Sequence, residues 1–415
     1  MRANLIVYAP SQMRTKATTH AGRTRTDPMT ALERRSVTAL AGIYGTRLLG
    51  LFLILPVFAL YAQTLDGYTP RLMGLALGIY GLTQACLQIP FGALSDRLGR
   101  KPVITFGLIL FAAGSIVAAG AHSIGAIVLG RALQGAGAVS AAVTAMVADL
   151  TRDSQRTKAM AIIGVTVGAS FLVAIPLGSA LNAMIGVPGI FWLTSALALA
   201  GIGILWLAVP TPARAHPSAE ALLPRLWAVL RDARLLRLDL GIFALHVALT
   251  STFVVLPNVL VDYARLPQNE HAAFYLPLMV VSAIPLFPMI AWSERRGRQR
   301  QTFAGAVLLL TAALGGLSAE HGSLFTIAVG VLVFFIGFNL LEASLPSLVS
   351  KTAPPQAKGT AIGVYSTFQF LGAFVGGDRG GWLYQHYGVG AVFGGAAVIT
   401  GLWFLLALRD AIRSL

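Results

Sequence analysis

Charge is scarce in this sequence. Only 11% of its 415 residues are Asp, Glu, Lys or Arg, where a soluble domain carries about 25%. So few charges cannot cover a water-facing surface. With 56% hydrophobic residues and a mean hydropathy of +0.74, the chain's main solvent must be lipid. Cysteine is reduced to Cys86, which excludes a disulfide framework or a thiolate metal site; inside an apolar run it reads as a packing thiol. No stretch sustains the period-2 alternation of strands. An ATP-binding P-loop, paired catalytic carboxylates and a His/Asp metal cluster are all missing, so neither an enzyme nor a cofactor is expected. The net charge of +15 would suit nucleic acid. Here, however, the basic residues lie in short pieces between apolar runs, which sets membrane orientation instead.

A membrane-spanning helix needs roughly 20 mostly apolar residues. Twelve such runs, spans 1 to 12, lie near 37–64, 70–95, 102–121, 124–150, 157–182, 188–209, 238–264, 272–293, 302–319, 323–350, 358–384 and 388–408. Many contain a proline (Pro56, Pro90, Pro176, Pro257, Pro285, Pro346), which a bundle tolerates because neighbours re-satisfy the backbone. With the N-terminus inside, 26 of the 31 Lys and Arg are cytoplasmic. Arg71, Arg265 and Arg379 fall outside, and Arg47 and Arg131 lie within spans. That asymmetry predicts both termini in the cytoplasm. All five lysines are on that side, which excludes a retinal Schiff base in the bundle.

The longest interior loop, 210–237, opens with Pro210, Pro212 and Pro217. It continues with Leu222, Leu223, Leu226, Trp227 and Leu230 on one face and Arg225, Asp232 and Arg234 elsewhere, the pattern of an amphipathic interfacial helix. It separates an N-terminal bundle (29–209) from a C-terminal one (238–415). The halves read as repeats: Lys158-Ala-Met-Ala-Ile opens span 5 and Lys358-Gly-Thr-Ala-Ile opens span 11, while SDRLGRK after span 2 has a weaker counterpart, SERRGRQR, after span 8. Residues 1–28 are polar and lack a signal-peptide core. They read as a disordered tail or an over-long start ahead of Met29.

Between spans 2 and 3 stands Gly92-Ala-Leu-Ser-Asp96-Arg97-Leu-Gly99-Arg100-Lys101-Pro102. Gly92 permits close helix contact and Gly99 a tight turn. Asp96 is suited to face the N-terminus of span 11, where the helix dipole is positive; Asp149 on span 4 can pair with Arg97. The bland reading is a positive loop with a turn. Span 4 carries Arg131-Ala-Leu-Gln-Gly135-Ala-Gly137, and an arginine inside a bilayer is costly unless it faces a partner or a wet cavity. On span 5, Gly164 and Gly168 are spaced for close packing, and Pro176-Leu-Gly178 follows.

These strings resemble the signature motifs of the major facilitator superfamily. GIYGLTQACLQIPFGALSDRLGRKP, LGRALQGAGA and FNLLEASLPSLVSK…GTAIGVYSTFQFLG are most similar to its YajR-like drug/proton antiporter branch, over residues 30–408. The resemblance implies an all-α membrane protein of twelve transmembrane helices in two pseudo-symmetric six-helix bundles. It also implies a monomer that carries a small-molecule substrate with protons by alternating access, in the inner membrane, with lipid as its other partner. The loop motif (Gly92, Asp96, Arg97, Gly99, Arg100, Lys101, with Asp149) would be the conformational switch, and Arg131 is tied to proton coupling in the family. Spans 1, 4, 7 and 10 would line the cavity. Their polar residues are Arg47, Arg131, His246, Asn258, Asn339 and Glu342, with Tyr365 among candidate wall aromatics beside Tyr44, Tyr80, Phe253 and Phe338. Glu342, read as the one acid well inside a span, is either a proton carrier or an ion-pair partner of Arg47 or Arg131. His246 is a coupling group or a packing residue. Two departures stand out. The family's Gly-Pro pair in span 5 is replaced by proline first and glycine two residues later, and Asp378-Arg379 interrupts span 11. The branch's ferredoxin-like soluble domain would follow span 12, but this sequence stops at Leu415, so no regulation through it is expected. The function implied is proton-coupled efflux of small lipophilic compounds; a proton–solute symporter and a non-transporting receptor or assembly factor remain alternatives.

Overall fold

A computed structural model describes residues 28–211, 222–319, 322–354 and 357–412. The expected tail at 1–28 lies, but for Pro28, outside the described residues, as does the proline-rich part of the linker after 211. Span 1 is α1 (Ala31–Phe52) and α2 (Leu55–Ala62); span 2 is α3 (Pro70–Leu98) and span 3 is α4 (Arg100–Ala119). Span 4 is α5 (Ile124–Ala136) plus α6 (Ser140–Asp149). A single helix, α7 (Asp153–Ala208), contains spans 5 and 6. After the short α8 (Leu222–Arg231) come span 7 as α9 (Ala233–Asp262) and span 8 as α10 (His271–Ala283) with α11 (Leu286–Arg295). Spans 9 and 10 are α12 (Gln299–Ala319) and α13 (Leu324–Thr352), and α14 (Lys358–Ile412) contains spans 11 and 12.

Among the described residues, ten helical segments are long and apolar enough to cross a membrane. Two of them double back at glycines with positive φ, Gly186 (φ 68°) and Gly388 (φ 78°), a conformation that side-chain-bearing residues resist. Counting each of these two as a pair agrees with the twelve spans expected. Span 1 starts earlier than expected because Thr30 and Glu33 form a reciprocal capping box, satisfying two otherwise orphaned backbone donors.

Glycines set the pairing within and between halves. Gly178 of span 5 lies against the Leu53 carbonyl of span 1, where α1 gives way to α2. Gly372 and Gly376 of span 11 lie in the same way on the Phe243 and Val247 carbonyls of span 7. Span 5 therefore sits on span 1 as span 11 sits on span 7, which is the internal repeat in three dimensions. Gly164 and Gly168, expected to pack closely, face open space; Gly178 serves that purpose in span 5. Cys86, expected to pack, is exposed. Among the described side chains of α8, Val229 is buried and Leu226 and Leu230 pack partly on the core. Trp227 stays outward beneath the Arg231 guanidinium.

The halves meet at the end of the molecule remote from the 92–102 loop. There Gly74 lies against Gly377, and a Cβ on Gly78 would stand 2.7 Å from the Phe374 carbonyl. At the loop end, here the motif end, Gly359 and Gly363 of span 11 face open space.

Candidate functional site

At the motif end, Arg100 begins span 3 directly after Gly99, whose φ of 98° makes the turn. Its guanidinium reaches Asp96 at 2.5 Å, Asp149 at 2.8 Å and Ser95 Oγ at 2.6 Å. This corrects one expectation: Asp149 pairs with Arg100 and not Arg97, which lies exposed. In the form described Asp96 faces Arg100. Arg152 turns to Glu33 at 3.0 Å, joining span 5 to the cap of span 1. Lys101 lies over the Trp206 ring, 5.0 Å from its centroid.

The N-terminal half buries two arginines. Arg47 bonds Ser140 Oγ at 3.1 Å and the Gln84 carbonyl oxygen. Gln84 in turn donates to Gln88, whose amide reaches the Gly363 carbonyl of span 11 at 3.3 Å. Arg131, 0% exposed, stacks on Tyr80 with 4.9 Å to the ring centroid. It donates to Gln134 Oε1 at 2.7 Å and to the Ala76 carbonyl at 3.4 Å, and Gln134 continues to Ser115 at 2.7 Å. Among the described residues neither arginine has a carboxylate partner, so of the two readings of Glu342 the ion pair with Arg47 or Arg131 does not form.

Glu342 belongs to the other half. Gln369 Nε2 has two hydrogens: one goes to Glu342 Oε1 at 3.1 Å, the other to His246 Nε2 at 2.9 Å. His246 Nδ1 faces the Ile242 carbonyl at 3.3 Å and so must be the N–H donor, leaving Nε2 as acceptor; this tautomer is inferred from the hydrogen-bond network. Glu342 Oε2 stands 4.0 Å from His246 Nε2 with no hydrogen-bond partner. The side chain keeps 19% exposure. Tyr365 is one helical turn from Gln369 and buried. Asn339, expected on Glu342's face, donates to Ser282 of span 8 at 3.1 Å.

Beyond Glu342, away from the motif end, aromatic rings close the centre. Phe171 of span 5 meets Phe338 of span 10 at 5.1 Å between centroids and Phe52 of span 1 at 5.1 Å. Phe335 and Phe253 complete the cluster. Further still, Gln63 donates to Asn258 at 3.0 Å and Asn258 to Tyr384 at 3.4 Å. Asn258, expected among the cavity residues, thus links the two halves at the far end in this form. Asp378, the unexpected charge in span 11, lies 4.0 Å from Arg71 of span 2 and bridges the halves there. Nearby Tyr68 is pushed up to about 12 by burial, with Tyr384 and Asp262 adding to the effect, so it stays a neutral hydroxyl.

Sequence reasoning missed Gln84, Gln88, Gln134 and Gln369. The signal was available in Gln84 and Gln88, which are four residues apart in an apolar run and so share a helix face. It also missed a further buried acid, Asp239, because Arg234 and Arg237 just before it make the start of span 7 resemble a solvated helix end.

Two helical bundles sealed at one end around buried polar clusters define a membrane transporter rather than an enzyme. The chain belongs to the Major Facilitator Superfamily, which it matches over residues 40–377. It is 44% identical over 381 residues to the inner membrane transport protein YajR of Escherichia coli (strain K12), covering 91% of this chain and 84% of that protein. It is 27% identical to the multidrug resistance protein MdtH of Cronobacter sakazakii over 81% of this chain and 83% of that one. Among solved structures, a bacterial homologue of the human lysosomal transporter Spinster, inward-facing and unoccupied, superposes with a TM-score of 0.76 at 15% identity. That match covers 93% of this chain and 99% of the other, and it bears on the fold.

Proposed function

We propose that the protein is a proton-coupled exporter of small lipophilic compounds, residing in the inner membrane as a monomer with both termini in the cytoplasm. The observation that carries this is Glu342: a carboxyl near mid-span with one oxygen unpartnered, 4.0 Å from the His246 Nε2 that Gln369 engages. Such a group inside a membrane is expensive unless it binds and releases something, and a proton is the ligand both groups share. The motif end is assigned to the cytoplasm by the distribution of Lys and Arg. The form described is then inward-open, closed outside by Gln63–Asn258, Arg71–Asp378 and the glycine contact of spans 2 and 11.

Residues 29–209 and 238–415 rock as two units about the linker. On the swing to the outward form, Asp96 leaves Arg100 and takes up the N-terminus of span 11. Arg131 and Arg47 hold a buried positive potential opposite Glu342. The aromatic cluster of Phe52, Phe171, Phe335 and Phe338 offers an apolar surface to the substrate, in keeping with the multidrug name of the MdtH relative. A substrate screen in proteoliposomes with an imposed pH gradient tests the reading. Flux should follow the gradient and lose that dependence in Glu342→Gln; flux indifferent to the gradient refutes it.

A further inference from the structure

The string Ser293-Glu294-Arg295-Arg296-Gly297-Arg298-Gln299-Arg300 after span 8 is the second-half counterpart of the 92–102 loop, and the two turns are built alike. Gly297 turns the chain with a φ of 65° where Gly99 does so with 98°, and an arginine follows each glycine. Their charges are balanced differently. Arg100 holds two carboxylates, Asp96 and Asp149. In the second half the end of span 10 supplies Lys351 where the end of span 4 supplies Asp149. Lys351 then takes the string's only acid, Glu294, at 4.0 Å. Arg295, Arg296, Arg298 and Arg300 are exposed, and among the described residues none of them meets a carboxylate.

Span 8 leads an apolar surface down to this cluster. Leu276, Val280, Ile284 and Phe287 are exposed along it, Phe287 to 76%, at the three- and four-residue steps that keep to one helix face. Trp292, 44% exposed, continues the face, and the Arg296 guanidinium lies 5.6 Å from its ring centroid. Every exposed residue from 276 to 292 is apolar, which suits contact with acyl chains and not a water-filled crevice. A tryptophan at the foot of such a face sits at headgroup level, and guanidinium groups just beyond it reach the phosphate layer. Setting the orientation of the chain needs only basic residues. It does not call for acids to be withdrawn from them or for an aromatic ring beneath them.

We propose that the turn between spans 8 and 9 binds the headgroup of an anionic phospholipid, whose acyl chains lie along the exposed face of span 8. A guanidinium forks onto two phosphate oxygens, which a lysine's point charge does not do. Four arginines beside one acid that is already engaged favour a headgroup of net negative charge. A zwitterionic headgroup brings an ammonium that they repel. In the first-half loop Arg100 is already taken by its two carboxylates. The site is independent of proton coupling and of what the protein carries.

The test places the full chain in nanodiscs of phosphatidylcholine mixed with phosphatidylglycerol, with bromine on the acyl chains of one lipid or the other. Bromine quenches nearby tryptophan, and the difference between wild type and Trp292→Phe isolates Trp292. Brominated phosphatidylglycerol should quench Trp292 at a bilayer fraction about ten-fold lower than brominated phosphatidylcholine. Arg295→Gln, Arg296→Gln, Arg298→Gln and Arg300→Gln together should abolish that preference, with the melting temperature unchanged. Arg298→Gln and Arg300→Gln alone should reduce it about three-fold. Arg34→Gln with Lys158→Gln, which removes exposed charge elsewhere at the motif end, should leave it intact. Equal quenching by the two lipids overturns the proposal, as does a preference that survives the glutamines in the turn. Loss of the preference in the Arg34 and Lys158 variant would reduce it to general surface charge. Its reversal by glycerol 3-phosphate would make a soluble phosphate ester the occupant, and either result also overturns the lipid site.

Discussion

Gln63 and Asn258, 195 residues apart in the chain, share a 3.0 Å hydrogen bond that joins the end of span 1 to span 7. It ties one half of the protein to the other at the end where they are closed. A hydrogen bond of this kind contributes about 1 kcal/mol net. Gln63→Ala should therefore shift the balance of closed and open far ends by about five-fold toward open. Distances between spin labels on spans 1 and 7, measured in lipid, report that shift. An unchanged distance distribution would deny Gln63 a gating role.

The contact of spans 2 and 11 is steric. A Cβ on Gly78 would stand 2.7 Å from the Phe374 carbonyl and 3.1 Å from its Cα, and both belong to backbone that cannot step aside. Gly78→Val should block closure, at an overpacking cost of about 1–3 kcal/mol, and cut transport more than ten-fold. Gly363→Ala, with nothing within 4 Å of the new methyl, should leave the melting temperature as it is. Equal effects from the two substitutions would argue against closure at this contact.

Arg131 has no carboxylate to neutralise it among the described residues, so it is not the member of a structural ion pair. Breaking such a pair would cost about 3–5 kcal/mol. Arg131→Met should instead leave thermal stability unchanged or higher, while gradient-driven transport is lost. A large fall in melting temperature would return Arg131 to a structural role.

Arg100 holds Ser95, Asp96 and Asp149 with one planar guanidinium. A lysine offers a point charge without that fork. Arg100→Gln should lower stability by about 1–2 kcal/mol, the half-exposed Asp96 being screened by solvent, and Arg100→Lys should recover less than half of it. Thermal unfolding in detergent measures both.

Most of the architecture was legible in one dimension. The apolar runs, a helix in the segment before span 7 and the turn at Gly99 appear where hydropathy and glycine placement put them. The repeat seen in the Lys158 and Lys358 strings reappears as the pairing of span 5 on span 1 and span 11 on span 7. Partner assignments were less legible. Asp149 was matched with Arg97 although Arg100 is only three residues further on, and the 13% exposure of the Arg100 side chain is invisible in a string of letters. Of the two readings of Glu342, proton carrier or ion-pair partner, the second was open only because a string of letters does not show that Arg47 meets Ser140 and Gln84 and Arg131 meets Gln134 and the Ala76 carbonyl.

Hydropathy and the placement of basic residues are sums over single residues, each of which has its own affinity for lipid or water. The sequence by itself therefore determined that this chain lives in a membrane and roughly where it crosses. Which polar group meets which is not such a sum. Glu342, Gln369 and His246 come from three different crossings, and only the angles and offsets at which those crossings pack decide that they touch. The same packing left Asp239 Oδ1 and the Tyr365 hydroxyl buried without hydrogen-bond partners among the described residues, and it brought the halves together where Gly78 meets Phe374.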